Sequence, residues 1–238
     1  MPKFVFMKYI LTTILFSLSL AMYAQVNQID SSGMKQGRWV KKYENGKTRY
    51  TGTFKDDIPV GTFKYYYEGE GRVMSEIVYR GETGIGFATA YHSNGQLQAK
   101  GLYNNQRKDS LWTYYDLTGI LTQTCVYREG VKHGDEITYF ENGVIAEQIS
   151  YEDGLKQGPW ILKWEDGKKR TEATFVNDQL NGECKHYDTN GKLLSKGEYR
   201  LGLKHNTWYY YNGGKMTKKQ EYIKGSLKNE KVYGESEE

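Results

Sequence analysis

The sequence predicts an all-β fold: an elongated, single antiparallel β-meander of about eight stacked β-hairpin repeats after an N-terminal signal segment. The first observation behind this prediction is a motif that recurs every 24 residues, with a single step of 25. A fixed period in this range is typical of repeat architectures. The second is the composition, because 22 Tyr and 27 Gly among 238 residues suit strands and turns better than one globular core. The repeats begin at Gly37, Gly61, Gly86, Ser110, Gly134, Gly158, Gly182 and Asn206.

Asn-Gly or Asp-Gly dipeptides mark the turn of most hairpins. If the first residue of each repeat is position 0, these dipeptides occupy positions 8 and 9. Such a dipeptide between strand-like runs predicts a two-residue type I′ turn. That turn would pair residues whose positions add up to 17, so that position 2 opposes position 15 and position 0 opposes position 17. The dipeptides are Asn45-Gly46, Asn94-Gly95, Asn142-Gly143, Asp166-Gly167 and Asn190-Gly191.

This register predicts one apolar face. A large ring at position 2 opposes a small residue at position 15, as in Trp39 with Gly52 and Trp160 with Ala173. Since side chains alternate between faces along a strand, positions 0, 2, 11, 15 and 17 are predicted to share this face. The residues predicted to be structural are Trp39, Trp112, Trp160, Trp208, Phe54, Tyr151, Phe175 and Tyr199.

The opposite face carries mostly Lys, Arg, Glu, Thr and Gln, with one column of tyrosines at position 5. Tyrosine serves binding interfaces well, because its ring is apolar and its hydroxyl is polar. The column is therefore the candidate partner-binding surface, and cross-strand packing is the alternative reading. Its members are Tyr66, Tyr91, Tyr115, Tyr139, Tyr187 and Tyr211.

Residues 1–24 have the features of a secretory signal peptide: a basic start, an apolar run over 10–20 and a small residue, Ala24, at the end. An uncleaved membrane anchor is the alternative, although the run is shorter than the about 20 residues that span a bilayer. Met7 is a second possible start, because the segment is complete from there. No further membrane-spanning segment is expected after cleavage.

The rest of the chain divides by pattern. Residues 25–36 are predicted to be a polar leader, 37–229 the eight repeats and 230–238 a charged tail. The connectors between hairpins are a few residues long, so neighbouring hairpins are expected to pair antiparallel.

The charged residues do not favour a nucleic-acid partner, because both signs interleave along every repeat and no basic run tracks a phosphate backbone. The histidines lie in separate repeats without a second ligand at metal spacing, and they are predicted to be surface residues. We therefore expect no metal, no cofactor and no catalytic residues. The histidines are His92, His133, His186 and His205.

Cys125 and Cys184 are predicted to be free thiols of low reactivity. Five strand steps would separate them, about 24 Å at about 4.8 Å per step, whereas a disulfide needs Cα atoms within about 7 Å.

The repeat pattern G-x-W-x-x-Y-x-x-N-G-K resembles MORN repeats, and most closely the MORN-variant form of bacterial YwqK-type antitoxin repeat proteins. Gly37-Arg38-Trp39, residues 43–47 and Gly52-Thr53-Phe54 carry the pattern, and residues 182–202 carry it again. The resemblance implies stacked hairpins used for binding or scaffolding, and it names no partner.

We expect an exported, non-catalytic repeat protein, periplasmic, in the cell envelope or secreted, that binds a protein or an envelope polymer. The alternative is an antitoxin or immunity protein whose partner is a toxin, and the signal segment counts against it. An envelope enzyme or enzyme subunit would need a non-repeat insertion with clustered carboxylates or histidines.

Overall fold

The computed structural model of the chain describes residues 26–69 and 71–234. These residues form strands and turns, and no helix occurs among them. They lie in two compact units, 1–95 and 96–238. The predicted signal peptide and the end of the predicted tail, 235–238, lie outside the described residues. The predicted all-β fold of antiparallel hairpin repeats is confirmed.

The first unit is a meander of six strands, each antiparallel to the next. The strands are β1 (Gln28–Ile29), β2 (Lys35–Lys42), β3 (Thr48–Lys55), β4 (Ile58–Tyr66), β5 (Val73–Tyr79) and β6 (Ile85–Tyr91).

The second unit continues the pattern with β7 to β19, and β13 pairs with both β14 and β15. The last strand runs to Val232, because it stays paired with β18 inside the segment predicted as a tail. The strands are β7 (Leu97–Asn104), β8 (Arg107–Tyr115), β9 (Leu121–Arg128), β10 (Val131–Tyr139), β11 (Ile145–Glu152), β12 (Leu155–Lys163), β13 (Lys169–Val176), β14 (Gln179–Leu180), β15 (Gly182–Tyr187), β16 (Leu193–Arg200), β17 (Leu203–Asn212), β18 (Lys215–Ile223) and β19 (Ser226–Val232).

The segment predicted as a leader closes the outer edge of β2. Asn27 lies beside Val40 and imitates a strand peptide with its side-chain amide. Its Nδ2 donates to the Val40 carbonyl at 3.1 Å, and its Oδ1 accepts from the Val40 N–H at 2.7 Å. An edge whose backbone groups are satisfied in this way cannot template pairing with another strand.

The predicted type I′ turn at Asn-Gly is wrong. Gly46 has φ of 81°, but Asn45 does not have a positive φ. The Gly46 N–H donates to the Tyr43 carbonyl, and the Tyr43 N–H donates to the Lys47 carbonyl. These bonds define a three-residue loop, a type I turn that ends in a left-handed glycine. Asn45 is held in it because its Oδ1 accepts from the Lys47 N–H at 3.0 Å.

Two positive φ angles in succession occur in most connectors between hairpins, and also in the Gly213-Gly214 turn within repeat eight. Asp56 and Asp57 have φ of 50° and 62°, and Asn177 and Asp178 have 49° and 65°. Two left-handed residues in a row are the mark of a type I′ turn. These connectors are thus two residues long, while the one between β5 (ending at Tyr79) and β6 (beginning at Ile85) is longer. The short antiparallel connections are confirmed.

The longer loop changes the register beside it. Positions that add up to 17 do pair far from the turn, as in Trp39 with Gly52 and Trp160 with Ala173. Near the turn a β-bulge shifts the pairing by one residue, so that position 5 opposes position 11. Because directly opposed residues share a face, the assignment of position 11 to the face of the tryptophans is wrong.

The core is a row of rings that pack over small residues of the preceding hairpin. Phe63 covers Gly52, Trp112 covers Gly101 and Trp208 covers Gly197; a Cβ on any of these glycines would lie 2.3 Å from the ring. The three rings are at most 3% exposed. We call this side of the sheet the first face, and the side of the position-5 tyrosines the second face.

Neighbouring volumes decide how deeply each predicted structural residue is buried. Trp160 lies opposite Ile149 of the preceding hairpin, not a glycine, and it is only half-buried. Trp39 belongs to the first hairpin and is half-buried as well. Of the remaining predicted structural residues, Trp112, Trp208 and Phe175 are buried, and Phe54, Tyr151 and Tyr199 are half-buried.

Candidate functional site

The position-5 tyrosines are half-buried and stand near the turn ends of the hairpins. Five of the six tyrosines lie directly opposite an apolar, non-aromatic residue on the other strand of their own hairpin. The sequence identified the tyrosines but placed the position-11 partners, Leu121, Ile145 and Leu193, on the wrong face. The pairs are Tyr66 with Val73, Tyr115 with Leu121, Tyr139 with Ile145, Tyr187 with Leu193 and Tyr211 with Met216. We call them, together with Tyr91, the tyrosine strip; Tyr66 and Tyr91 lie in the first unit and the others in the second.

Tyr187 shows how the strip is anchored to the second face. Its hydroxyl donates to Glu172 Oε2 at 2.7 Å, and Lys169 Nζ lies 2.5 Å from Glu172 Oε1. Burial is the largest cause that raises the pKa of Tyr187 to about 12, and the hydrogen bond to Glu172 is the second. The pKa of Glu172 is lowered, mainly by the hydrogen bond from Lys169 and next by that from Tyr187. The phenol therefore stays protonated over the physiological range.

Aromatic residues at position 6 have a different role. The hydroxyls of Tyr43 and Tyr67 each donate at 2.7 Å to a backbone carbonyl of the next repeat. Trp164 Nε1 does the same to the Asp188 carbonyl at 3.1 Å. These rings tie successive turns together, whereas the Tyr187 hydroxyl of the position-5 column donates to a side chain, Glu172. Repeat six interrupts the strip, because Lys163 and Lys169 stand where the tyrosine and its aliphatic partner would be.

The first face carries a feature that sequence reasoning missed, a row of lysines two positions before the start of five of the eight repeats. Each ammonium lies over an aromatic ring of its own hairpin, with the nearest centroid 4.3–5.0 Å away. Such cation–π contacts hold a long side chain in one orientation. The signal in the sequence is the recurring lysine itself. We call this the lysine row; it comprises Lys35, Lys108, Lys132, Lys156 and Lys204.

Repeats four and eight build the same cluster around this lysine. Lys108 Nζ lies 4.5 Å from the Trp112 ring and donates to the Tyr114 hydroxyl at 2.9 Å. Lys204 Nζ lies 4.3 Å from the Trp208 ring and donates to Tyr210 at 2.9 Å. Both follow from the same short motif, K-x-x-x-W-x-Y, which begins at Lys108 and again at Lys204.

Repeat five departs from the pattern, since Glu136 takes the place of the ring at position 2. It accepts a hydrogen bond from Lys132 and lies opposite Cys125. Glu147, in the same hairpin, accepts from Trp160 Nε1 at 2.7 Å. The middle of this face therefore carries carboxylates that are already engaged.

Both cysteines are free and buried, each about 1% exposed. Burial raises the pKa of Cys184 to about 11 and also raises that of Cys125. Cys184 Sγ lies 3.4 Å from His186 Nε2, and His186 Nδ1 lies 3.1 Å from Thr171 Oγ1. Burial lowers the pKa of His186, so both partners favour their neutral forms. His186 is half-buried, so the prediction of a surface histidine is wrong there, and His92, His133 and His205 are half-buried too.

Within 26–69 and 71–234, no group of three or more His, Cys, Asp or Glu side chains is arranged to hold a metal ion. The same residues contain no helix that is long and apolar enough to span a membrane.

Four segments of the chain match the MORN repeat variant family. They are residues 35–56, 88–105, 132–153 and 180–200. Three of these MORN-variant matches coincide with complete hairpins, β2–β3, β10–β11 and β15–β16. No curated protein matches the chain significantly. These MORN-variant matches indicate a repeat module of the kind used for binding.

Proposed function

We propose that this chain is an exported, non-catalytic MORN-like repeat protein that acts as a binding or scaffold module in the cell envelope. The observation that carries the proposal is the tyrosine strip, in which a half-buried tyrosine recurs beside an aliphatic residue in successive hairpins.

The chemistry of the strip suits a partner that is partly apolar and partly polar. Each tyrosine ring is half-buried, so less side-chain entropy is lost on binding than for a fully exposed side chain, and a phenol hydroxyl that donates can still accept a hydrogen bond. A surface that repeats every two strands can hold a partner at several points at once, and weak contacts then combine into useful affinity. A protein surface and a repetitive envelope polymer both meet this description.

Export is the second part of the proposal and is supported by the signal-like composition of residues 1–24. It is tested by mass spectrometry of the protein from fractionated cells. We expect the exported form to begin at Gln25, and a chain that retains residues 1–24 in the cytoplasm would contradict export.

Binding is tested by placing a photo-crosslinking amino acid at Tyr115 or Tyr139 in the full chain in cells. We expect one recurrent adduct from these positions and none from Glu152, an exposed control at the connector edge. Combined Tyr115→Ser and Tyr139→Ser changes, with the crosslinker at Tyr211, should remove the adduct while the far-ultraviolet spectrum is unchanged. An undiminished adduct would contradict a binding role for the strip.

The second candidate is an antitoxin of the YwqK type, which is favoured by the match to the variant form of the repeat. It is tested by co-expression with any toxin-like gene encoded beside it. Rescue of growth by a form that remains in the cytoplasm would favour the antitoxin over the envelope module.

A further inference from the structure

We propose that the first face of the second unit binds a linear, sparsely charged acidic polysaccharide through Lys108, Lys156 and Lys204. This goes beyond the proposed function, since it concerns the other face of the sheet and does not require the tyrosine strip.

The three ammonium groups are held in place before any ligand arrives. Lys108 and Lys204 rest on buried tryptophans and donate to tyrosine hydroxyls at 2.9 Å. Lys156 lies 5.0 Å above the Phe175 ring. A long lysine side chain normally loses considerable rotamer freedom when it binds. The rings have already removed much of that freedom, which favours binding by pre-organisation.

These lysines lack the neutralising partner that Lys132 has. Lys132 contacts the carboxylate of Glu136. Among the described residues, no carboxylate oxygen lies within 4.0 Å of the Nζ atom of Lys108, Lys156 or Lys204. Lys218, which opposes Tyr210 on the same face, has a carboxylate oxygen of Glu230 at 4.0 Å. The lysine row in the described part of this unit therefore presents three cations, half-buried at their stems, that an external anion can neutralise.

The three cations are evenly spaced. Lys108 is on β8, Lys156 on β12 and Lys204 on β17, and four strand steps separate each from the next along the pairing order. At about 4.8 Å per step the interval is about 19 Å. A ligand that neutralises all three must be linear and must present anions at long intervals.

The residues between the cations exclude a densely charged chain. Between Lys108 and Lys156, Lys132 is already paired with Glu136 and Glu147 adds a further carboxylate, so this stretch offers no free cation to another anion. Leu180, on β14, stands between Lys156 and Lys204 where another lysine would complete the row. Double-stranded DNA carries one charge per about 1.7 Å of axis, so most of its phosphates would remain unpaired on this surface. A polysaccharide with one acidic sugar among several neutral ones matches the pattern.

Hydroxyl groups beside the cations fit the same ligand. The Tyr114 and Tyr127 hydroxyls lie 3.2 Å apart next to Lys108. The Tyr222 hydroxyl, near Lys204, donates to Gln220 at 2.9 Å. Sugars offer many donors and acceptors, so neutral units that flank the acid can exchange hydrogen bonds with these groups.

The test measures binding of the full chain to deacylated gellan, a linear polymer with one glucuronate in each tetrasaccharide. Polygalacturonate, in which every sugar is charged, and neutral pullulan are the comparison polymers. We expect gellan to bind most tightly and pullulan not to bind. Combined Lys108→Gln, Lys156→Gln and Lys204→Gln changes should weaken gellan binding by about tenfold or more, since multivalent contacts are lost together. The corresponding triple Lys→Arg variant should keep most of the affinity.

The matched control is Lys100→Gln, Lys163→Gln and Lys196→Gln, which removes the same charge from the second face and should change affinity by no more than about twofold. Tighter binding to polygalacturonate than to gellan would overturn the proposal, as would equal binding by the two glutamine variants. If the triple variant fails to fold, Lys156→Gln alone decides, since the Lys156 ammonium rests on the Phe175 ring and donates no hydrogen bond to another described residue. Tyr115→Ser with Tyr139→Ser should leave gellan binding intact, so failure here is distinguishable from failure of the tyrosine strip.

Discussion

Gly197→Ala is expected to destabilise the second unit markedly, although alanine normally suits a strand better than glycine. The new Cβ would lie 2.3 Å from Cδ2 of Trp208, which is 1% exposed. The ring must shift by more than an ångström, which strains the packing and weakens the hydrogen bond from its Nε1 to the Glu198 carbonyl, now 3.1 Å. Overpacking of about 1–3 kcal/mol and a hydrogen bond of about 1 kcal/mol give a loss of about 2–4 kcal/mol.

The assay is urea unfolding followed by tryptophan fluorescence. The matched control is Ala173→Gly, at the same position of repeat six, where the next repeat presents Cys184 instead of a ring. There, replacing alanine by glycine should lower the free energy of unfolding by about 0.5–1 kcal/mol. Alanine is then favoured at position 15 of repeat six, whereas glycine is favoured at the same position of repeat seven. Combining Gly197→Ala with Trp208→Leu should cost less than the sum of the two single changes. A Gly197→Ala protein as stable as the wild type would refute the packing of rings over the preceding hairpin.

Four further outcomes are expected. Trp208→Ala should cost about 3–5 kcal/mol, and Trp160→Ala clearly less because that ring is half-buried; urea midpoints compare them. Asn27→Ala should unmask the edge of β2 and increase concentration-dependent association in light scattering. Because the pKa of His186 is lowered in the folded state, the unfolded state binds more protons below about pH 6.5, and stability should fall there in wild type more than in His186→Gln. The Cys184 thiol should react with a disulfide reagent only after denaturant is added.

The register of the hairpins could be predicted where it depends on side-chain volume. The pairing of Trp39 with Gly52 is predicted from a two-residue turn that does not form. It holds because the β-bulge restores the register beyond the loop, and because a large ring and a missing side chain fill one layer together. The turn itself could not be predicted, because Asn45 accepts from the backbone two residues on and favours the three-residue loop over the type I′ alternative. The bulge that follows moves Leu193 beside Tyr187, and a one-residue slip of this kind reverses a face assignment.

The tyrosine strip was half predictable and the lysine row was not predicted at all. Tyr139 stands out because it recurs in a polar pattern, but its aliphatic partner Ile145 depends on the bulge. Lys108 lies two residues before its repeat, beside a connector, and interleaved charges next to a turn are ordinarily solvated. What distinguishes it is the stack of rings below it, and that stack comes from residues on two different strands, Trp112 and Tyr127.

In repeat five, packing of the core would favour a ring at position 2, whereas the proposed binding favours the carboxylate of Glu136. In a repeat array each hairpin is stabilised mainly by its neighbours, so weak packing between two hairpins affects mainly the stability of those two. Glu136 replaces a ring between Cys125 and Ile149 and is held by Lys132. A ring there would add apolar contacts along the central row. It would also leave Lys132 without its carboxylate and add a fourth free cation between Lys108 and Lys156. The Glu136 carboxylate thus weakens the apolar packing of repeat five against its neighbours. It also keeps the free cations of the first face widely spaced, and this spacing selects a polymer with widely spaced acids.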